Sequence, residues 1–420
     1  MRTEMARWLQ TAAAEPPASG RRAALPSVAP GPWLRLSALV AAGGTLLAVV
    51  SGAEGLGTAH RLLAALVAPP LAALVVSAWY AHRRLVPASL AAAALFAGAA
   101  AVPTPHAHSG LAAFALAALV IVVADSFRGE RVGWGSWRDY VALTKPRIMS
   151  LLLITGFCGL IAGARGWPGT GLAVAAMVGL ALACGGASAL NHVLDRDIDP
   201  LMGKRTSSRP VASGRVAPSR ALEFGLALSA LSFVLLASAV NVLTAVLALV
   251  GNLFYVLVYT RWLKRSTSQN IVIGGAAGAV PPLVGWAAAT GHVGIAALLL
   301  FVIVFVWTPP HFWALALLIK DNYANARVPM LPVVRGERAT ARQIVLYSVA
   351  LVGATLLPWA WGGAGPLYVV CALALGAVFV WLAEWLRRDT TPRRAMLLFH
   401  YSLLYLALLF AALAVDAVIA

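Results

Sequence analysis

Thirteen apolar runs, each long enough for a helix to cross ~30 Å of hydrocarbon, succeed one another along this chain of 420 residues. They lie near 33–52, 62–81, 86–104, 110–127, 148–164, 171–190, 221–238, 242–259, 271–289, 294–316, 343–361, 367–386 and 396–417. The chain therefore reads as an all-α polytopic membrane protein. Composition agrees: 61% of residues are hydrophobic and 11% charged, against roughly 45–50% and about 25% in soluble domains.

The net charge of +17 raises the question of nucleic acid, and the placement of the charges answers it. With the N-terminus on the inner side, 30 of the 32 Lys and Arg residues fall on inner segments or adjoining helix ends, and only Arg61 and Arg165 fall outside. That asymmetry is the positive-inside rule for a multi-pass protein, and it needs no nucleic-acid partner. Residues 1–32 carry Arg2, Arg7, Arg21 and Arg22 beside Glu4 and Glu15, without the compact apolar stretch of a signal peptide. They read as a cytoplasmic tail. Cys158, Cys184 and Cys371 stand singly within apolar runs, as small core residues rather than a disulfide framework or zinc site.

A short polar segment at 128–140 separates the first four runs from the later nine. The expected organisation is a tail at 1–32, an accessory four-helix bundle at 33–127, a linker at 128–140 and a nine-helix domain at 141–420. In that last part three long inner loops, 191–220, 260–270 and 320–342, hold most of the polar residues. Polar residues are costly in a membrane domain, so this asymmetry places a charged, water-facing site at the inner mouth of the second bundle.

The first loop reads NHVLDRDIDPLMGKRTSSRPVASGRV. If the preceding helix runs on through 199, Asn191, Asp195 and Asp199 share one face at 3.6 residues per turn, and Asp197 points away. Oxygen ligands on one stripe suit Mg²⁺, which takes one or two carboxylates and completes its shell with water and substrate phosphate. Lys204, Arg205, Arg209 and Arg215 follow, as an anionic diphosphate would require. The plainer alternative is a solvated helix end whose acids pair with those arginines.

The second loop offers Arg261, Lys264 and Arg265, which positive-inside topology alone would explain. The third offers Asp321, the only acid between Glu223 and Glu337, followed by Asn322 and Tyr323. Asp321 is read as a further metal ligand, against an ion pair with Lys320 or Arg327. Just before it, Pro309 and Pro310 predict a kinked or unwound helix that turns His311 towards a cavity.

These segments together resemble the UbiA superfamily of intramembrane prenyltransferases, and in detail its haem O synthase branch, over roughly 139–415. The resemblance rests on DYVALTKPRI at 139–148, ASALNHVLDRDIDPLMGKRTSSRP at 187–210, YTRWLKRSTSQNIVIGGAAGAVPPLVGW at 259–286, and WTPPHFWALAL with VPMLPVV at 307–317 and 328–334. It implies nine helices around a cavity, with Mg²⁺ and farnesyl diphosphate held at the cytoplasmic side of a bacterial inner membrane. By position, Asn191, Asp195, Asp199 and Asp321 become metal and diphosphate residues, with Asn322 as a further metal contact. Lys145, Arg147, Lys204, Arg205, Arg209, Lys264 and Arg265 become diphosphate contacts.

The implied reaction transfers the farnesyl group to a vinyl group of protohaem (haem B), with addition of water. His311 would meet haem or the cavity, and Tyr255, Tyr259 and Trp286 would line that cavity, though core packing explains the aromatic residues equally well. Haem A synthase is the protein partner the resemblance suggests. The chain departs from the family in carrying Asp321–Asn322 where two adjacent acids are common, which weakens the expectation of a second metal.

The four N-terminal runs lie outside the resemblance. Residues 49–67 are faintly similar to half of a haem A synthase around His60, and a packing or anchoring appendage is the preferred reading. Two other functions compete: prenylation of another acceptor, against which TPPHFWALAL argues, and secondary transport. Transporters place their charged sites near the bilayer midplane, whereas the acids here gather at one surface.

Overall fold

A computed structural model describes residues 32–53, 57–81, 85–101, 105–126 and 135–419. The expected tail, apart from residue 32, and most of the expected linker lie outside the described residues. Every regular element among the described residues is helical. The N-terminal part holds α1 (Pro32–Ala53), α2 (Gly57–Ala81), α3 (Val86–Ala101) and α4 (Pro105–Ser126). These four helices run 22, 25, 16 and 22 residues, and nine later helices are long and apolar enough to cross a membrane among the described residues.

Those nine are α6 (Pro146–Ala164), α7 (Thr170–Leu194), α8 (Pro218–Ala239), α9 (Val242–Ser266), α10 (Asn270–Thr290), α11 (Ile295–Leu318), α13 (Leu331–Ala360), α14 (Pro366–Arg388) and α15 (Pro392–Ile419). Two short helices, α5 (Trp137–Thr144) and α12 (Lys320–Asn325), lie between them. α7 packs on α8, α10 on α6 and α11, and α13, α14 and α15 follow in turn until α15 returns to α6. The N-terminal bundle meets this ring chiefly where α4 runs along α8.

Lipid tails are as apolar as leucine, so membrane helices associate through close backbone approach and shared hydrogen bonds. α6 and α10 show the first device. A methyl on Gly285 would collide with the carbonyl oxygen of Gly156, and one on Gly159 would sit 2.6 Å from the Pro282 carbonyl oxygen. α7 and α8 meet similarly at Gly186 and Gly225. The second device joins α9 and α8 to α7: Asn252 donates to the Ala183 carbonyl (3.0 Å), and Ser232 to that of Gly179 (2.6 Å). At the far end, the buried Asp416 of α15 accepts the Gly365 and Tyr368 amides and so caps α14.

Three sequence expectations need correction. α7 ends at Leu194 instead of running through 199, because Asp195 takes up a non-helical cap conformation (φ −89°, ψ 3°). α11 passes through Pro309 and Pro310 as one helix instead of unwinding. The expected loop at 320–342 is largely helical: α12 fills its start, and α13 begins at Leu331 and is interrupted only at Gly336 (φ 78°), a conformation natural to glycine.

Candidate active site

One end of the ring gathers the start of α6, the end of α7, the end of α9 and the segment from 195 to 217. Although α7 stops at Leu194, turn hydrogen bonds from the Asp195 amide to the Asn191 carbonyl and from the Asp199 amide to the Asp195 carbonyl, both 2.9 Å, preserve the four-residue spacing. Asn191, Asp195 and Asp199 are thereby buried together, 3%, 1% and 0% exposed. The Asp197 side chain, 58% exposed, points outward.

The cations meet these acids in a specific order. Lys264 Nζ lies 2.6 Å from Asp195 Oδ2, which also accepts the Asn191 amide at 2.9 Å. Lys145 Nζ donates to Asn191 Oδ1 at 2.7 Å. Arg209 binds Asp199 Oδ1 at 2.6 Å. Arg265 forms a two-point contact with Asp197 (2.6 and 2.7 Å) and caps the Leu194 carbonyl (2.7 Å). Arg265 thus holds the turn after α7, and its Nη2 also lies 3.9 Å from Asp195 Oδ1, an ion pair beyond hydrogen-bond distance. Asp195 Oδ1 and Asp199 Oδ2 are left buried with no hydrogen-bond partner.

Local sequence explains several placements. Residues Phe254–Leu263 wind as a π-helix, a form frequent at functional sites. Within it, Thr260 Oγ1 accepts the Asn191 amide (3.1 Å) and donates to the Tyr255 carbonyl (2.9 Å). Thr260 was missed in the sequence, where the only signal is a hydroxyl at the polar end of an apolar run. Tyr255 and Tyr259 stack at 5.6 Å, one to two turns from Lys264. Lys145 is both the last residue of α5's cap and the residue before Pro146, and it holds a left-handed conformation (φ 52°), a strain that structures retain where a side chain must be aimed. Ser188 ties α5 to α7 through the Leu143 carbonyl (2.6 Å). Arg215 ties the 195–217 segment to α5 through Asp139 (2.7 Å).

The remaining expected residues spread around this centre. Lys204 and Arg205 are exposed on a single helical turn, Lys204–Ser207, after Gly203 (φ 91°). Arg147 is exposed on the first turn of α6. Asp321 is exposed, whereas Asn322 faces the first loop: its amide lies 3.2 Å from where a Gly203 Cβ would be. His192, beside Asn191, is 2% exposed and neither ring nitrogen has a partner. Trp286 lies near the other end of α10, in an apolar pocket with Ala162, Leu299, Pro358, Trp361 and Leu413, and so is not gathered with the acids.

Charge is finely set at this mouth. Burial, with Arg209 adding to it, brings Lys145 from an ordinary 10.5 down to about 7. Burial pushes Asp199 up despite Arg209. Hydrogen bonds from Arg265 hold Asp197 at about 2, and those from Arg215 and Ser136 hold Asp139 at about 2. Burial lifts Tyr323 to about 12.

Among solved structures, the fold is similar to a digeranylgeranylglyceryl phosphate synthase (TM-score 0.57, 17% identity, 67% of this chain and 99% of that one). It is also similar to a UbiA homologue from Archaeoglobus fulgidus bound to DMAPP and Mg²⁺ (TM-score 0.51, 18% identity, 66% and 99%). In sequence the chain is 56% identical over 282 residues to a protohaem IX farnesyltransferase of Symbiobacterium thermophilum, covering 66% of this chain and 94% of the relative. It is 53% identical over 289 residues to protohaem IX farnesyltransferase 1 of Pseudomonas fluorescens, covering 69% and 96%. A Thermus thermophilus protein of the same name is 52% identical over 284 residues, which are 68% of this chain but 46% of that protein. Residues 152–412 match the UbiA prenyltransferase family. The ring of helices, the acid pair at its mouth and these matches agree: the chain belongs to the UbiA prenyltransferase family.

Proposed function

We propose that this chain transfers the farnesyl group of farnesyl diphosphate to a vinyl group of protohaem IX, with addition of water, releasing diphosphate and giving haem O. The observation that carries the reading is its 50–56% identity to proteins named protohaem IX farnesyltransferase, several of them covered over 93–98% of their length. The acid-and-cation mouth supports the diphosphate half.

The donor set fits Mg²⁺. Asp195 and Asp199 each hold one oxygen on a cation and one buried oxygen without a hydrogen-bond partner, and Mg²⁺ needs only one or two carboxylates when substrate phosphate completes its shell. Related UbiA proteins have been solved with Mg²⁺. When bound, the metal neutralises negative charge gathering on the diphosphate as the allylic carbon–oxygen bond breaks. Asn191 is a further oxygen donor once Lys145 releases it. Asn322 lies beside the same loop, whereas Asp321 would have to turn inward to contribute.

Lys204 and Arg205, exposed at the mouth, attract the incoming diphosphate. Lys145, Arg209 and Lys264, already within the acid cluster, take up charge on the leaving group as it develops. Arg265 supports them indirectly by fixing the turn that carries Asp195. Tyr255 and Tyr259 offer aromatic faces beneath the mouth, suited to a farnesyl cation. The surrounding helices exclude bulk water, which would otherwise quench that cation to farnesol.

Positive-inside placement of the basic residues supports a bacterial inner membrane with this mouth on the cytoplasmic side. Haem A synthase is the partner this reading expects. The N-terminal helices are proposed as an accessory bundle: their docking is chiefly along α8, and His60 Nδ1 lies 2.9 Å from the Ala48 carbonyl within the bundle itself. The test is mass analysis of haems extracted from a host that lacks its own synthase and expresses this chain. A farnesylated haem supports the assignment, and haem B alone, with the protein correctly inserted, refutes it.

A further inference from the structure

Asn270, the first residue of α10, is 0% exposed, and neither its amide nitrogen nor its amide oxygen has a hydrogen-bond partner. Among the described residues no other carboxamide side chain is buried with both atoms unpaired. Leaving such groups unmatched is costly, and native structures keep one where a water, an ion or a reacting molecule meets it. His311, the other buried polar side chain expected at the cavity, is already engaged: its ring stacks between Trp307 and Phe399, and its Nδ1 lies 2.6 Å from Ser402 Oγ.

The surroundings of Asn270 place it just beneath the mouth. Its backbone amide donates to the Thr267 carbonyl (3.3 Å), in the turn that follows Lys264 and the end of α9. Gly274, one turn on and on the same face at ~100° per residue, lies against Tyr259, whose ring an added methyl would strike. Gly275 meets Thr308 of α11, 2.9 Å from where its Cβ would be. Gly278 points between these two directions, and a methyl there would meet nothing within 4 Å, although Ala279, Pro281 and Pro282 beside it are buried. The inward face of α10 thus borders open space, and Asn270 stands on it ~6 Å nearer the mouth than Gly274, at ~1.5 Å per residue.

We infer that Asn270 holds the single water molecule that adds to the porphyrin side chain. This deepens the proposed farnesyl transfer and rests on it. The end carbon of the vinyl group bonds to the farnesyl carbon that leaves diphosphate, and the positive charge then falls on the next carbon, beside the porphyrin ring. The water must therefore wait a few bond lengths from the diphosphate, in a cavity otherwise dry. A phosphate oxygen at Asn270 would satisfy Nδ2 and set Oδ1 against an anion, and a cation would do the reverse. Water serves both atoms: one of its hydrogens goes to Oδ1 and one lone pair accepts from Nδ2. The other lone pair forms the carbon–oxygen bond, and the second hydrogen passes as a proton to the released diphosphate.

The experiment is mass analysis of the haem products made by the detergent-solubilised full chain and its variants from farnesyl diphosphate, Mg²⁺ and haem B. Without a held water, the cation is quenched by losing a proton from the adjoining carbon, which gives an alkene lighter than the hydroxylated product by one water. In Asn270→Leu the ratio of alkene to hydroxylated haem should rise at least ~tenfold over the parent, the scale of losing one hydrogen-bonded contact. Asn270→Ser, whose hydroxyl both donates and accepts, should restore the hydroxylated product. If Asn270→Leu does not fold, the smaller and equally apolar Asn270→Val carries the same comparison. An unchanged product ratio, at whatever rate, would show that Asn270 only packs or binds diphosphate, and a folded apolar variant that makes neither product would place Asn270 before the water step; either overturns the inference. If the parent itself makes no farnesylated haem, the proposed reaction fails, an outcome distinct from a ratio that stays fixed across the variants.

Discussion

Lys264 and Asp195, 69 residues apart in the chain, meet at 2.6 Å with both side chains buried, and the contact clamps the end of α9 to the end of α7. The same carboxylate keeps its other oxygen without a hydrogen-bond partner. Asp199 repeats the pattern with Arg209. Each acid thus has one oxygen hydrogen-bonded to a cation and one without a hydrogen-bond partner, the arrangement on which the proposed divalent-cation site rests.

Alanine at Asp195 or Asp199 is expected to lower turnover roughly 100-fold or more, the scale of losing one preorganised charge-stabilising group. Asp197→Ala removes only an outward-facing pair with Arg265, and exposed pairs are worth ~1 kcal/mol or less, so its loss should stay below about fivefold. Initial rates on inserted, folded protein decide the matter; equal loss at all three positions would remove the distinction between the buried pair and its exposed neighbour.

Much of this was legible in the sequence, and the limits are physical. Four-residue spacing identified the acid pair because turn hydrogen bonds carry the helical register past Leu194 even where the helix itself stops. Apolar run length located the later nine crossings, since hydrocarbon thickness dictates it. Which cation meets which acid was not legible. Lys264 and Arg265 are adjacent in sequence, yet they diverge to Asp195 and Asp197 because consecutive helical residues point about 100° apart. Asn322 and not Asp321 faces Gly203 for the same reason. Trp286 lies in a recognisable motif but near the far end of its helix from the acids, a matter of helix direction that composition does not encode.

Lys145 provides a pH test. Its folded pKa of about 7 lies below the ordinary 10.5, so between those values the folded chain binds fewer protons than the unfolded one and stability should rise with pH across that window. A bound diphosphate favours the ammonium, so above pH ~7 binding should take up a proton and weaken by up to about tenfold per pH unit. Calorimetry at about pH 8 in buffers of different ionisation enthalpy measures the uptake; it should disappear in Lys145→Met, and its absence in the parent would contradict the assignment.

Asn322→Asp should raise apparent Mg²⁺ affinity, because a carboxylate attracts the cation more strongly than an amide oxygen. The added charge would also repel diphosphate until the metal is bound, making the rate depend more steeply on Mg²⁺ at low concentration. A Mg²⁺ titration at saturating farnesyl diphosphate compares the two proteins, and superimposable curves would place residue 322 outside the metal site.

Glycine positions separate packing from chemistry. Gly285→Ala drives a methyl into the Gly156 carbonyl at the α6–α10 crossing, whereas Gly278, on the same helix, has open space around it. The first substitution should cost ~1–3 kcal/mol or more, as overpacking does, and the second little. Thermal unfolding in detergent should show a lower midpoint for Gly285→Ala alone; equal midpoints would mean that the two helices do not meet at their backbones.

The central claim, farnesyl transfer to protohaem with addition of water, is tested most directly by mass analysis of haem after incubating purified protein, Mg²⁺, farnesyl diphosphate and reduced haem B in ¹⁸O-labelled water. The account predicts a haem heavier by one farnesyl group and one hydroxyl, with the label retained in the haem product. Consumption of farnesyl diphosphate to farnesol, with the haem mass unchanged, would contradict it.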